Sequence, residues 1–140
     1  MTKLFKLLLS SPDTVLYDGE VRSVSFQTSD GEITVMADHT PIITIVSPGV
    51  LTIETKDDIQ TLAVGAGFAK VTKGNLKVFA QTAEYAESID EQRAIEAQES
   101  AKELLKERRD HLTLADATSL LERNIARIKA VERKKRRTHK

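Results

Sequence analysis

Four side chains in the second half of the chain have the types and spacing of an anion site. Asp90 and Arg93, in the stretch SIDEQRA, stand three residues apart, and Arg123 and Arg127 stand four apart. On helices each pair shares a face. Planar guanidinium groups on two helices can fork onto phosphate oxygens, while the Asp90 carboxylate accepts hydrogen bonds from a base or a sugar. The plainer alternative is an Asp90–Arg93 surface ion pair, contributing about 0.2–0.5 kcal/mol, beside solvated arginines. Other chemistry is thinly represented. His39, His111 and His139 show neither metal-ligand spacing nor a Ser-His-Asp order. Asp38 adjoins His39 without a nucleophile motif, so a solvated loop or a loop touching a partner describes this dipeptide better than a catalytic one. The stretch VGAGFAK lacks the spacing of a phosphate loop and has no helix after it, so Gly65 and Gly67 mark a bulge or tight packing. With no convergent acid, base and nucleophile, the sequence speaks against an enzyme.

The elements that must position these residues come in two kinds. From Lys3 to about Thr82, short β-type runs alternate with the turn signals YDGE, SDGE, SPGV, TKDD and TKGN. Val24 and Phe26, and again Ile33 and Val35, alternate with polar neighbours, so one strand face is buried and the other wet. VLTIET and IQTLAVGAGFAKV, then LKVFAQT, read as consecutive hairpins, and a meander of this length closes into a sandwich or flattened barrel that hides its edges. After Tyr85 the period lengthens. Ser88 with Glu91 forms an S-x-x-E capping box, which predicts Ser88 as N-cap and a helix from Ile89 to about Arg108. Its seam is Ala94, Ala97, Ala101 and Leu104. Thr113 with Asp116 offers a second cap before a seam of Ala117, Leu121, Asn124, Ile128 and Val131. The expected fold is therefore β + α: an amino-terminal antiparallel β-sandwich or flattened barrel over residues 1–86, then an antiparallel two-helix hairpin over 87–140. Seams this rich in alanine bury little area at about 25 cal/mol per Å², so the hairpin should open readily.

Charge and composition narrow the partners. The 140 residues carry 21 Lys or Arg and 21 Asp or Glu, but residues 122–140 hold nine of the cations against two Glu, a net +7, leaving −7 on residues 1–121. The tail ERKKRRTHK is either a solvated, frayed end or a surface for an acidic partner or nucleic acid. No aromatic residue interleaves with it, which argues against stacking on single strands and favours an acidic protein. The absence of cysteine excludes disulfides and thiolate metal sites. The opening MTKLFKLLLSS is too short an apolar run to span a bilayer, so membrane association is expected to be peripheral.

Taken together, Leu8-Leu9-Ser10-Ser11-Pro12, the loop from Gly31-Glu32-Ile33 to His39-Thr40-Pro41, Gly65-Ala66-Gly67-Phe68-Ala69, Ile89-Asp90-x-x-Arg93-Ala94 and Leu121-Glu122-Arg123 with Ala126-Arg127 resemble the epsilon subunit of bacterial rotary ATP synthases over nearly the whole chain. The resemblance implies a non-catalytic central-stalk subunit. It would bind the gamma subunit and the membrane rotor ring of c subunits at the cytoplasmic face of the bacterial cell membrane, and couple proton flow to ATP synthesis. It also implies that Glu32, Asp38 and His39 lie towards the rotor ring. In the extended hairpin, Arg123, Arg127, Arg133, Lys134, Lys135, Arg136 and Arg137 would meet the catalytic alpha and beta subunits and inhibit hydrolysis. No cofactor is required. ATP is implied as a regulatory ligand of the folded hairpin, at Glu84, Ile89, Asp90, Arg93, Arg123 and Arg127. One departure weakens that site: Ser100 stands where ATP-binding members carry a further arginine, a loss of about 1.5–3 kcal/mol for a charged hydrogen bond. The alternative to a synthase subunit is a nucleic-acid-binding protein that uses the basic tail.

Overall fold

The computed structural model describes residues 3–107 and 111–138, with side chains for 3–103 and 118–136. Ten strands run β1 (Phe5–Ser10), β2 (Val15–Val21), β3 (Ser23–Thr28), β4 (Gly31–Met36), β5 (Ile42–Val46), β6 (Gly49–Glu54), β7 (Ile59–Val64), β8 (Gly67–Thr72), β9 (Asn75–Ala80) and β10 (Ala83–Tyr85). They form two five-stranded sheets, ordered β2-β1-β9-β8-β5 and β10-β7-β6-β3-β4, here called sheets A and B. The expected alternation holds: Val24, Phe26 and Val35 are buried between the sheets with Leu7, Leu51 and Val78. TKDD and TKGN turn the β6–β7 and β8–β9 hairpins, as their sequences predict.

Two features depart from a simple antiparallel meander. The β1–β9 pairing is parallel. These strands meet from opposite ends of the meander, with no hairpin between them to impose reversal. The run IQTLAVGAGFAKV is also two strands rather than one, because the chain leaves sheet B after Val64 and enters sheet A at Gly67. Gly65 and Gly67 make that crossing possible. A Cβ on Gly67 would lie 1.8 Å from the Phe79 carbonyl oxygen, and one on Gly65 would lie 2.6 Å from Thr82 Oγ1. The tight packing expected at these glycines is thus against the Thr82 side chain at Gly65 and against backbone at Gly67, where the chain changes sheets between β7 and β8.

After the 3₁₀ turn Ala86–Ser88 come helices α1 (Glu91–Glu107) and α2 (His111–Thr138). Lys135 near the end of α2 touches Glu91 at the start of α1, which makes the pair antiparallel. The sequence misplaced both helix starts. Ser88 is not the N-cap of α1, since its hydroxyl donates to the Tyr85 carbonyl at 2.8 Å inside the 3₁₀ turn. Ile89 then takes an extended conformation (φ −85°, ψ 127°) and is buried, so the helix can begin only after it. Asp90 caps it instead, accepting the Arg93 backbone N–H at 3.1 Å. Thr113 and Asp116 lie within α2 rather than ahead of it. Residues 108–110 and the side chains of Leu104, His111, Ala117, Arg137 and His139 lie outside the described residues.

Helix α2 packs on β6 and β7, so the hairpin is a third layer over sheet B. Those two strands are covered on both sides: Leu51, Ile53, Leu62 and Val64 face the sandwich core, while Val50 and Ala63 meet Ala126 and Ala130 of α2. Among the described residues no helix is long and apolar enough to cross a membrane. Because the Gly67 contact is with backbone, which cannot rotate away, Gly67→Ala is expected to destabilise the protein by about 3 kcal/mol or more. Urea denaturation followed by circular dichroism measures this, and an unchanged midpoint would contradict the close approach.

Candidate functional site

Burial of Ile89 and Ala94 fixes the site's first half. Both join the small cluster under the hairpin, with Val50, Ala63, Ala86 and the two α2 alanines. Between them Asp90 is committed to helix geometry. One carboxylate oxygen caps Arg93, the other lies 3.7 Å from Arg93 Nε, and the Asp90 carbonyl accepts the Ala94 N–H at 3.0 Å. The Arg93 side chain is 84% exposed.

On α2 the two arginines separate. Arg127 turns towards β10, where its Nε lies 2.6 Å from Glu84 Oε1, an ion pair with both side chains at most a quarter exposed. The Nε–H is not aimed along that line, so the contact is one of charge rather than an aligned hydrogen bond. Arg127 Nη1 donates to Asn124 Oδ1 at 3.2 Å, and Asn124, fully buried, donates in turn to the Leu120 carbonyl. Arg123 is exposed and lines an open cavity of about 300 Å³ with Gly65, Gln81, Thr82 and Leu120. The structure therefore gathers Glu84, Asn124 and Arg127 into one polar cluster. Among the described residues no hydrogen bond or ion pair joins Asp90 or Arg93 to Arg123 or Arg127. Ser100 and Lys102 are both exposed on α1.

Further along α2 a larger open cavity of about 810 Å³ lies between the β6–β7 turn, Tyr85, Glu87 and Lys134. Tyr85 donates its hydroxyl to the Leu16 carbonyl at 2.6 Å, and burial, then neighbouring Tyr17, raises its pKa. Burial, then the Asp58 charge, does the same for Tyr17. Thr61, beside the cavity, faces Thr52 across the β6–β7 ladder, and neither buried hydroxyl has a protein partner among the described residues. Lys134 pairs with Glu87 at 3.4 Å and Lys135 with Glu91 at 2.5 Å; Arg133 is half-buried and Arg136 exposed.

The residues assigned to the rotor ring do not form one patch. Glu32 sits at the start of β4, where it accepts Gln27 Nε2 at 3.0 Å. Asp38 and His39 follow the other end of the same strand, and the four steps from Glu32 to Met36 alone span about 13 Å at 3.3 Å per residue. Asp38 takes a left-handed backbone (φ 67°) and pairs with Lys3, and His39 Nδ1 bonds the Thr40 carbonyl at 2.7 Å.

Sequence reasoning missed the most conspicuous surface. On the outer face of sheet A, Ile43 and Ile45 are 74% and 69% exposed, and Phe68 is 51% exposed. Ile45 is directly opposite Phe68, which is opposite Phe79, and the two rings stack with centroids 5.5 Å apart. An apolar row thus crosses three strands. The signal was present in IITIV, apolar in both phases of the strand period, a pattern that calls for cover on both faces.

The family model for the beta-sandwich domain of the ATP synthase Delta/Epsilon chain matches residues 4–86, and that for its long alpha-helix domain matches 87–132. The chain belongs to the epsilon chain family of ATP synthases. It is 35% identical to the ATP synthase epsilon chain of Ruminiclostridium cellulolyticum, covering 94% of this chain and 98% of that one. It is 33% identical to that of Syntrophomonas wolfei, over 92% and 95%, and 32% identical to the chloroplastic epsilon chain of Jasminum nudiflorum, over 91% and 96%. Its fold is similar to a chain in the OSCP/F1/c-ring structure of the Euglena gracilis mitochondrial ATP synthase, with a TM-score of 0.79, 23% identity and coverage of 88% of this chain and 78% of that one. An epsilon chain is a subunit of the synthase and not the catalytic one, and nothing in these likenesses favours nucleic acid as the partner of the tail.

Within this family fold, the Asp90 carboxylate has a structural task that Ser88 does not. Asp90→Ala is expected to cost about 1 kcal/mol and Ser88→Ala much less, read as thermal unfolding midpoints. Equal losses would reinstate Ser88 as the cap.

Proposed function

We propose that this chain is a non-catalytic, regulatory subunit of the central stalk of a proton-translocating rotary ATP synthase. The sandwich seats it on the gamma subunit and the rotor ring, and the hairpin restrains ATP hydrolysis by reaching the catalytic alpha and beta subunits through Arg123, Arg127 and the basic run 133–137. Its place is peripheral, at the cytoplasmic face of the bacterial cell membrane. The row Ile43, Ile45, Phe68 carries this reading. An aliphatic and aromatic strip of this kind on an otherwise polar sheet is a protein-binding surface. The hairpin, lying on sheet B, leaves it uncovered. Gamma is the occupant favoured by the membership in the epsilon family and by the likeness to chains of F1/c-ring assemblies.

Ile45→Glu with Phe68→Glu is expected to weaken co-purification with gamma by tenfold or more, since each substitution places a charge in a desolvated contact. Ile59→Glu, on sheet B, serves as the control. Retention equal to wild type would remove the patch from the interface.

ATP as regulatory ligand belongs to the same proposal, at Glu84, Ile89, Asp90, Arg93, Arg123 and Arg127. Its phosphates have to draw Arg127 away from Glu84, and Ser100 supplies no guanidinium, so binding is expected only towards millimolar nucleotide. Calorimetric titration of wild type and Arg127→Ala checks this: heat for the first and none for the second. No heat for wild type at millimolar ATP refutes the site.

A further inference from the structure

The ion pairs between the hairpin and the segment that leads into it have a common pattern. Three carboxylates, Glu84 on β10, Glu87 in the 3₁₀ turn and Glu91 in the first turn of α1, meet three cations of α2 in the same chain order: Arg127, Lys134 and Lys135. The separations are 2.6, 3.4 and 2.5 Å. The pairs differ in depth. Arg127–Glu84 is mostly buried, whereas Glu87 is 77% exposed and Lys135 58%. Burial strengthens the inner contact, and water and salt weaken the outer two.

Glu87 and Lys134 border the 810 Å³ open cavity, and Thr61 lies beside it with a buried hydroxyl lacking a protein partner among the described residues. Near the inner pair, Ala126 and Ala130 are buried with Val50 and Ala63, although Ala126 also borders a smaller open cavity of about 360 Å³. The ion pairs of α2 thus become more exposed from Arg127 towards its carboxyl-terminal end.

We infer that Glu84, Glu87 and Glu91 form a graded electrostatic latch that holds the hairpin folded and occupies Arg127, Lys134 and Lys135. These are the same cations that the regulatory reading gives to the catalytic subunits. The latch itself stands on the ion pairs; only the identity of the competing partner rests on that reading. A folded hairpin is then silent for an electrostatic reason, because its own carboxylates hold the groups that an acidic partner needs. Release begins at the exposed Lys134–Lys135 end, and Arg127–Glu84 yields last.

Amide hydrogen exchange on the full-length chain tests the latch directly. In Glu87→Gln/Glu91→Gln, protection across residues 121–136 is expected to fall about two- to tenfold, the range for losing two exposed pairs, with β8 and β9 unchanged. Lys134→Gln/Lys135→Gln, which removes these pairs without altering the first turn of α1, should lose at least as much, and Asp13→Asn should lose none. Lys134→Glu should lose protection, and adding Glu87→Lys should restore most of it. Raising salt from about 0.05 to 0.5 M should lower protection in wild type and much less in the double Gln variants. Protection unchanged in both double variants, or no rescue by the charge swap, overturns the latch. Loosening of the hairpin without any change in hydrolysis by the reconstituted complex leaves the latch standing and counts against the regulatory reading instead.

Discussion

The outer face of β6 and β7 has to be covered, and the rest of the molecule is arranged around that requirement. Both strands are apolar towards the sandwich core, and Val50 and Ala63 add an apolar patch on the other side, next to Thr52 and Thr61. Helix α2 supplies the cover with Ala126 and Ala130, whose small side chains let the helix approach the sheet closely. Close approach with methyl groups buries little area per residue, so the hydrophobic term at this interface is thin. Ile89 reinforces it by breaking the helical path and inserting an extended residue beneath the hairpin, and that insertion sets where α1 begins. The buried Arg127–Glu84 pair and the two buried threonine hydroxyls pull in opposite senses: the first resists separation, while unpartnered buried hydroxyls each disfavour burial by about 1–3 kcal/mol.

Much of this was legible in the sequence, for reasons that differ by element. Period-two alternation located the core side of β3 and β4, because every second residue must face the same way, and TKDD and TKGN located two hairpins because their turn chemistry is local. The parallel β1–β9 closure joins residues about 70 positions apart and leaves no local pattern. At the N-cap, Ser88 and Asp90 are both competent, and the choice was made by the burial of Ile89, a tertiary effect. The seam through Leu121, Asn124, Ile128 and Val131 described one side of α2, but the helix has two covered sides, and alanines at 126 and 130 do not stand out in a chain where alanine recurs in strands and helices alike. Of the anion-site residues, the sequence correctly paired Asp90 with Arg93 on one helix face. It could not show that Arg127 already has a carboxylate partner on β10.

The two outer faces of the sandwich are built for different kinds of contact. Sheet B is covered from within the chain by small residues and exposed ion pairs, a combination with modest affinity and sensitivity to salt. Sheet A presents Ile43, Ile45 and Phe68, large side chains that remove far more apolar surface from water per residue when covered. A chain that must stay attached to one partner while a second segment changes position needs this inequality. In the proposed function, sheet A would supply the strong contact that anchors and sheet B the weak one that can be exchanged without detachment.

Charge exchange also governs what any anion would do at Arg127. A phosphate or a partner carboxylate arriving there does not meet a vacant guanidinium; it meets one neutralised by Glu84 in a setting three-quarters shielded from water. Displacing Glu84 leaves a partly buried carboxylate without its cation, a penalty that reduces the net gain to well below that of a fresh ion pair. An anion that arrives with its own hydrogen-bond donors for Glu84, as the hydroxyls of a sugar would be, restores part of that loss. At the proposed ATP site, the cost of displacing Glu84 would therefore be set by the same ion pair that ties α2 to β10.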